Sequence, residues 1–221
     1  DTGSRLLGAA GIAVVETVTC SSPDAAAAAA DRLGYPVVAK VAHPDLVHKS
    51  DAGGVRVGLA DASAVRAAAE HLLRLAPDAR VLVQPEVAGL EVIVGGLRDP
   101  QFGAAVLVGL GGIHVEVLDD VAGGLAPLDL EACRQLLSGL RGSGLLGGVR
   151  SAPPVDVTAL AEVVRAAGDL VASVPEIAEL DLNPVLATPG GAVVVDWRIR
   201  VEFSPGQDEP APVIGHPTTE N

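Results

Sequence analysis

Aromatic side chains are nearly missing from this 221-residue chain, which holds two Phe, one Tyr and one Trp. Hydrophobic residues still make up 49% of it. Its core must therefore be assembled from small and branched aliphatics, as in buried α/β sheets. Basic residues are also scarce, with 15 Lys plus Arg against 28 Asp plus Glu and a net charge of −13. A polyanion wants a basic surface, so nucleic acid or an anionic membrane is a poor main partner. A nucleotide is still admitted, because its phosphates are met by a local cluster of lysine, backbone N–H and metal. The two cysteines, Cys20 and Cys133, offer neither a disulfide framework nor metal-site spacing and read as ordinary core thiols. No charged segment leads into an apolar leader, and no apolar run is long enough to span a bilayer. Together these absences point to a soluble protein of the reducing cytoplasm.

What is present is organised around residues 40–55, KVAHPDLVHKSDAGGV. A lysine ends an apolar run, and two histidines, a second lysine, an aspartate and a glycine pair follow it. Hydrophobic periodicity and capping signals predict helices over 5–10, 23–33, 62–75, 130–140 and 157–174. Strands are predicted over 37–41, 55–59, 81–84, 91–96, 104–108, 114–118, 177–182 and 192–197. These elements form two α+β lobes, 5–84 and 85–203, that meet near residues 84–90. Residues 204–221, rich in Pro and polar side chains, are expected to be a disordered tail. A cleft between two sheet-bearing lobes is a reasonable place for a ligand.

Candidate functional residues follow from spacing. Glu179, Asp181 and Asn183 recur at intervals of two, so in a strand they share one face. A turn centred between Pro189 and Gly190 brings Asn183 opposite Asp196 on the returning strand. Cross-strand neighbours lie about 4.5–5.5 Å apart at Cβ, close enough to share an ion. Their oxygens are hard ligands suited to Mg²⁺, although a polar hairpin cap would use the same residues. Lys40 closes the strand VVAK either as a phosphate partner or as a snorkelling lysine. Gly53 and Gly54 permit a phosphate-cradling nest or simply a hairpin turn, and Lys49 could add charge. His48, with Lys49 and Asp51 nearby, is a candidate phosphoryl acceptor; His43, before Pro44, reads as loop geometry. The connector after Gln84 could meet an adenine edge while Glu86 or Glu91 reaches the nucleotide. Gly111 and Gly112 open a second glycine-rich turn ahead of His114 and Glu116, a phosphate-facing loop or a tight turn.

Three blocks, over 34–59, 89–120 and 175–199, resemble in order the ATP-grasp domain of NDP-forming acyl-CoA synthetases. ADP-forming acetyl-CoA synthetase β subunits are members, and succinyl-CoA synthetase β chains are more distant ones. The resemblance implies an ATP-grasp fold with nucleotide between the two lobes. It implies reversible phosphoryl transfer, converting acyl-CoA, ADP and phosphate to acid, CoA and ATP through a phosphohistidine. It places Lys40, Lys49, Gly53, Gly54 and Val55 at the phosphates, Gln84, Glu86 and Val87 at the adenine hinge, and Asn183 and Asp196 on Mg²⁺. His48 matches a second histidine that some members use. A CoA-binding partner, in the same or a separate chain, is implied as well. One departure is plain: the aromatic and arginine usual ahead of LAPL are Gly123 and Gly124 here. An alternative is a regulatory, non-catalytic ATP-grasp domain of a protein acyltransferase.

Overall fold

The computed structural model describes residues 2–43, 46, 53–112, 120–149 and 152–202. His48, Lys49, Glu116, the strand predicted over 114–118 and the tail 204–221 lie outside the described residues.

The first sheet is antiparallel, in the order β1 (Val18–Cys20), β4 (Arg80–Pro85), β2 (Val37–Ala42), β3 (Val55–Leu59). Two helices, α2 (Pro23–Leu33) and α3 (Ala62–Leu73), cover one of its faces. Both start where capping chemistry directs. The Ser22 hydroxyl accepts from Ala25 N at 3.2 Å, and Asp61 Oδ1 accepts from Ala64 N at 2.9 Å. Alternation sorts each strand: Val37, Ala39 and Val41 enter the core with Val81 and Val83. Val38 and Lys40 on β2, with Leu82 and Gln84 opposite them on β4, face the other way.

A second antiparallel sheet runs β10 (Trp197–Val201), β8 (Ile177–Thr188), β5 (Leu90–Asp99), β6 (Gly103–Leu110), β7 (Val121–Leu125), with β9 (Gly191–Val194) pairing β8. The helices α4 (Leu130–Gly139) and α5 (Val157–Ser173) pack on one face over Val92, Val94, Val106, Val108, Leu180 and Leu182. Strand β7 escapes sequence prediction because VAGGL has two glycines and little strand propensity. It forms because β6 holds it in register, Leu107 opposite Gly123 and Val106 opposite Gly124.

Residues near the chain start pack with the second sheet. Helix α1 (Thr2–Ala9) sends Leu7 into the core of the second sheet, and Ile12 follows it there. Gly3 allows this docking, since a Cβ would fall 2.0 Å from the Trp197 ring. The segment is then stitched to β9: Val194 N donates to Ala13 O and Val15 N to Val194 O, both at 2.9 Å. Hydrophobic burial, which acts without regard to chain order, sets the division.

Both cysteines are buried and free, and burial pushes both thiols above their usual range, as inert core positions require. Among the described residues no helix is long and apolar enough to cross a membrane. Leu7 is fully buried, so Leu7→Ala should cost about 2–5 kcal/mol of stability. Urea denaturation followed by circular dichroism should show this as a lowered midpoint; an unchanged midpoint would mean α1 is not docked in solution.

Candidate functional site

Two candidate residues, Lys40 and Gln84, meet at one main-chain oxygen, and Asn183 and Asp196 lie next to it. Lys40 Nζ, from β2, donates to the Val195 carbonyl at 3.0 Å. Gln84 Nε2, from β4, donates to the same oxygen at 3.1 Å and to Thr17 Oγ1 at 2.9 Å. The next residue is Asp196, whose carbonyl accepts from Asn183 N at 3.0 Å. Lys40 and Gln84 are only 8% and 5% exposed, so a polar cluster from the first sheet is sealed against the β8–β9 hairpin of the second.

The hairpin has the register that its turn dictates. Val185 pairs Val194 and Thr188 pairs Gly191, which continues to Asn183 beside Asp196. Asn183 is exposed, Asp196 half-buried, and Asp196 Oδ1 accepts from Trp197 N at 3.0 Å. One feature was not legible in the spacing. On β8 the inward residues are Leu180 and Leu182, then Val185 and Ala187, so the alternation slips between them. Val92 pairs Val185 while Val94 pairs Leu182, so Asn183 and Pro184 together oppose Ile93. This bulge keeps Asn183 on the face of Glu179 and Asp181 while the strand beyond it reverses its alternation.

The glycine turn ahead of β3 joins the same region. Val55 pairs with Lys40 across the ladder, and the Gly54 carbonyl accepts from Val41 N at 2.8 Å. Gly53 has φ +64°, a conformation glycine adopts freely. Arg56, which sequence reasoning missed, donates through Nη1 to Gly53 O at 2.7 Å and Val55 O at 2.9 Å. The turn's carbonyls are thus tied from behind by a guanidinium.

Glu91, Gly111 and Gly112 form a second group. Gly111 N donates to Glu91 O at 2.7 Å, and a Cβ on Gly111 would stand 2.8 Å from Glu91 Cβ. Gly112, at φ +69°, lies under the Glu91 carboxylate. Close backbone approach therefore requires glycine here. Glu86 is placed differently from a free nucleotide contact: its Oε2 accepts from Gly58 N at 2.8 Å, which engages it with β3. Its own N–H donates to Pro36 O at 3.0 Å, and Val87, half-buried, follows in the connector. Asp120 is a further residue missed from the sequence. It is 7% exposed and accepts from Arg141 N and Gly142 N, each at 2.8 Å, anchoring the turn after α4. An aspartate closing an apolar stretch, with a glycine-rich segment to receive it, was the available signal.

Among the described residues no three His, Cys, Asp or Glu side chains gather to hold a metal. A pair of hard oxygens, Asn183 and Asp196, suits Mg²⁺ nonetheless, because that ion keeps waters and phosphate oxygens in its other positions. A cavity of about 550 Å³ runs along α1 and residues 11–17 and touches the cluster only through Thr17.

Comparison with known proteins agrees with this architecture. The chain belongs to the ATP-grasp family, whose domain model matches residues 1–201. It is similar to the β subunit of ADP-forming acetate–CoA ligase I of Pyrococcus furiosus, at 38% identity over 86% of this chain and 85% of that one. The fold matches the dinucleotide-forming acetyl-coenzyme A synthetase 1 of Ca. Korarchaeum cryptofilum in complex with coenzyme A, Ca-AMPCP and HgCl⁺. That match has a TM-score of 0.85 and 38% identity, and it covers 90% of each chain. A second structure of that synthetase holds coenzyme A and Mg-AMPPCP, with its phosphohistidine segment pointing towards the nucleotide binding site. It matches with a TM-score of 0.78 at 38% identity, covering 89% of this chain and 88% of that one. The α+β ATP-grasp fold expected from the sequence is the fold observed.

The carboxylates on the β8 face repel one another. Asp181 is held above the usual carboxylate range, chiefly by burial and then by Glu179; Arg198 opposes the shift and Asp196 adds to it. A raised folded-state pKa means that the folded protein holds the proton more tightly than the unfolded chain does. Stability should therefore fall as pH rises from the ordinary aspartate value through the raised one. Asp181→Asn should raise the urea midpoint at pH 7 and lose that advantage below the ordinary aspartate pKa. A gain independent of pH would assign it to packing instead.

Proposed function

We propose that this chain is the nucleotide-binding part of an ADP-forming acyl-CoA synthetase. It would hold ATP or ADP with Mg²⁺ between its two sheets and exchange a phosphoryl group with a histidine. The overall conversion is acyl-CoA, ADP and phosphate to acid, CoA and ATP, and a CoA-binding partner, in the same or a separate chain, completes it. The compartment is the cytoplasm, which suits two reduced thiols.

The observation that carries this reading is the sharing of one carbonyl by Lys40 and Gln84, one residue before Asp196. It unites a buried cation, a pair of hard oxygen ligands and a glycine turn, the three parts that a metal-bound phosphate chain needs. Lys40 would neutralise phosphate charge, and the backbone N–H groups around Gly53, Gly54 and Val55 would cradle it. Asn183 and Asp196 would hold Mg²⁺, whose bound charge stabilises the transferring phosphoryl group. Gly111, Gly112 and Glu91 form a second glycine-supported edge on which Glu116 follows in the chain. His48 is the proposed phosphoryl acceptor: an imidazole nitrogen forms the N–P bond as the bond from the γ-phosphorus to the ADP oxygen breaks. The reverse transfer regenerates ATP. The phosphohistidine segment of the Korarchaeum synthetase, pointing to its nucleotide site, supports transfer through histidine in this family.

Calorimetric titration with AMPPCP and Mg²⁺ should show binding, weakened at least tenfold, or roughly 1.4 kcal/mol, by Lys40→Ala and by Asp196→Ala. No binding by the unaltered chain would overturn the assignment. With radiolabelled ATP, an acid-labile label should appear on the unaltered chain and be missing from His48→Ala. A label that persists in His48→Ala would place the acceptor elsewhere.

A further inference from the structure

Two side-chain donors of the first sheet end on one main-chain oxygen of the second, and the residue that follows carries a proposed metal ligand. Gln84 has no charge to offer a phosphate, yet it is 95% buried at this junction. Its orientation follows from its partners. The Val195 carbonyl can only accept, so the amide nitrogen, not the oxygen, faces it. The Thr17 hydroxyl donates to Val15 O at 3.1 Å and so presents a lone pair to the same nitrogen.

The bonds form a closed circuit. Val15 N is held by Val194 O, Thr17 by Val15 O, Gln84 by Thr17, and Gln84 returns to Val195, the neighbour of Val194. From Val195 the circuit continues into the metal pair, because Val195 N donates to Pro184 O at 3.1 Å and Asn183 N to Asp196 O at 3.0 Å. The peptides flanking Asp196 and Asn183 are therefore located by three segments: strand β4, residues 15–17 and β8. Lys40 shares the Val195 oxygen, so the phosphate-side cation and the metal-side hairpin are joined through one acceptor.

We propose that Gln84 is a positioning residue for the metal: by gripping the Val195 carbonyl it fixes the Asp196 and Asn183 oxygens for the divalent ion of a metal–nucleotide complex. This deepens the reading under Proposed function and rests on it. Gln84 acts on the metal through Val195, in addition to any part that its main chain takes in the hinge.

The test uses the full chain with Mn²⁺ as probe. Mn²⁺ affinity is read by electron paramagnetic resonance in the presence of AMPPCP, and AMPPCP affinity by calorimetry in EDTA. Partners that orient metal ligands typically change metal affinity about 10–100-fold. Gln84→Leu should lower Mn²⁺ affinity within that range, by a larger factor than it lowers AMPPCP affinity in EDTA. Thr17→Val should show a smaller loss of the same kind, and Thr17→Ser, which keeps the hydroxyl, should restore the unaltered Mn²⁺ affinity. This Val/Ser pair carries the test if Gln84→Leu does not fold. Equal losses with and without metal would overturn the proposal by making Gln84 a nucleotide contact or a purely structural residue. Unchanged Mn²⁺ affinity in Gln84→Leu, or in Thr17→Val, would overturn it as well. Failure of the unaltered chain to bind AMPPCP in the presence of Mn²⁺ would instead remove the reading on which it rests.

Discussion

The Val195 carbonyl, with Lys40 and Gln84 bonded to it, is the constraint on which the arrangement of this molecule depends. Each sheet has its own aliphatic core and its own helices, so burial within each does not by itself fix one sheet against the other. Directional bonds can do so, because a buried donor left without a partner costs about 1–3 kcal/mol, and more when it is charged. Lys40 and Gln84 lie on the face of the first sheet turned away from its helices, apart from the aliphatic core of that sheet. Only a neighbouring polar surface can accept their N–H groups, and the hairpin supplies it. The segment from Ala13 to Thr17 strengthens the joint, since it is laddered to β9 at one end and receives Gln84 at the other.

Much of this was legible in the sequence wherever a local rule decides the outcome. Ser22, Asp61 and Asp129 cap the helices that their positions announce. The turn at Pro189 and Gly190 sets a register that carries Asn183 to Asp196, because in a tight hairpin the turn fixes every later pair. What the sequence did not show depends on distant partners. Whether α1 joins the first or second core is decided by Trp197, nearly two hundred residues away. The slip in alternation at Asn183–Pro184 is fixed by pairing with Ile93 on β5, and its one local mark is Pro184, which cannot donate to a ladder. Glu86 was read by its place in the connector, yet Gly58 N captures its carboxylate from a neighbouring strand. Gln84 was read as part of a hinge, and its side chain also reaches across to the other sheet.

The departure at Gly123 and Gly124 also has a local structural expression. On β7, Gly123 lies opposite Leu107, whose Cδ2 would stand 2.5 Å from a Cβ there. Leu107 has spread into the space that a larger side chain would need. Gly124 turns the other way, towards Leu128, 3.1 Å from where its Cβ would be. The two glycines therefore leave an apolar surface, with Val121 and Leu125 exposed beside Leu107, in place of an aromatic and a cation. On the proposed function, phosphate contacts must then come from the Lys40 side of the cleft and from metal, not from β7.

That requirement meets the charge of the chain. A protein at −13 that places Glu179 and Asp181 on one face of β8, with Asp196 on the returning side of the hairpin, opposes the approach of a nucleotide, which is itself polyanionic. The raised pKa of Asp181 records part of this crowding, with burial as the larger cause and its acidic neighbours as the rest. One buried lysine cannot balance such a field alone. On the proposed function, a divalent ion held by Asn183 and Asp196 would change the sign of the problem, since the carboxylates that repel bare phosphate attract the ion that phosphate brings with it. On the proposed function, metal would strengthen nucleotide binding in such a site, and its contribution would depend on how firmly the hairpin holds its two oxygens. The grip of Gln84 on Val195 is the feature of the structure that supplies that firmness.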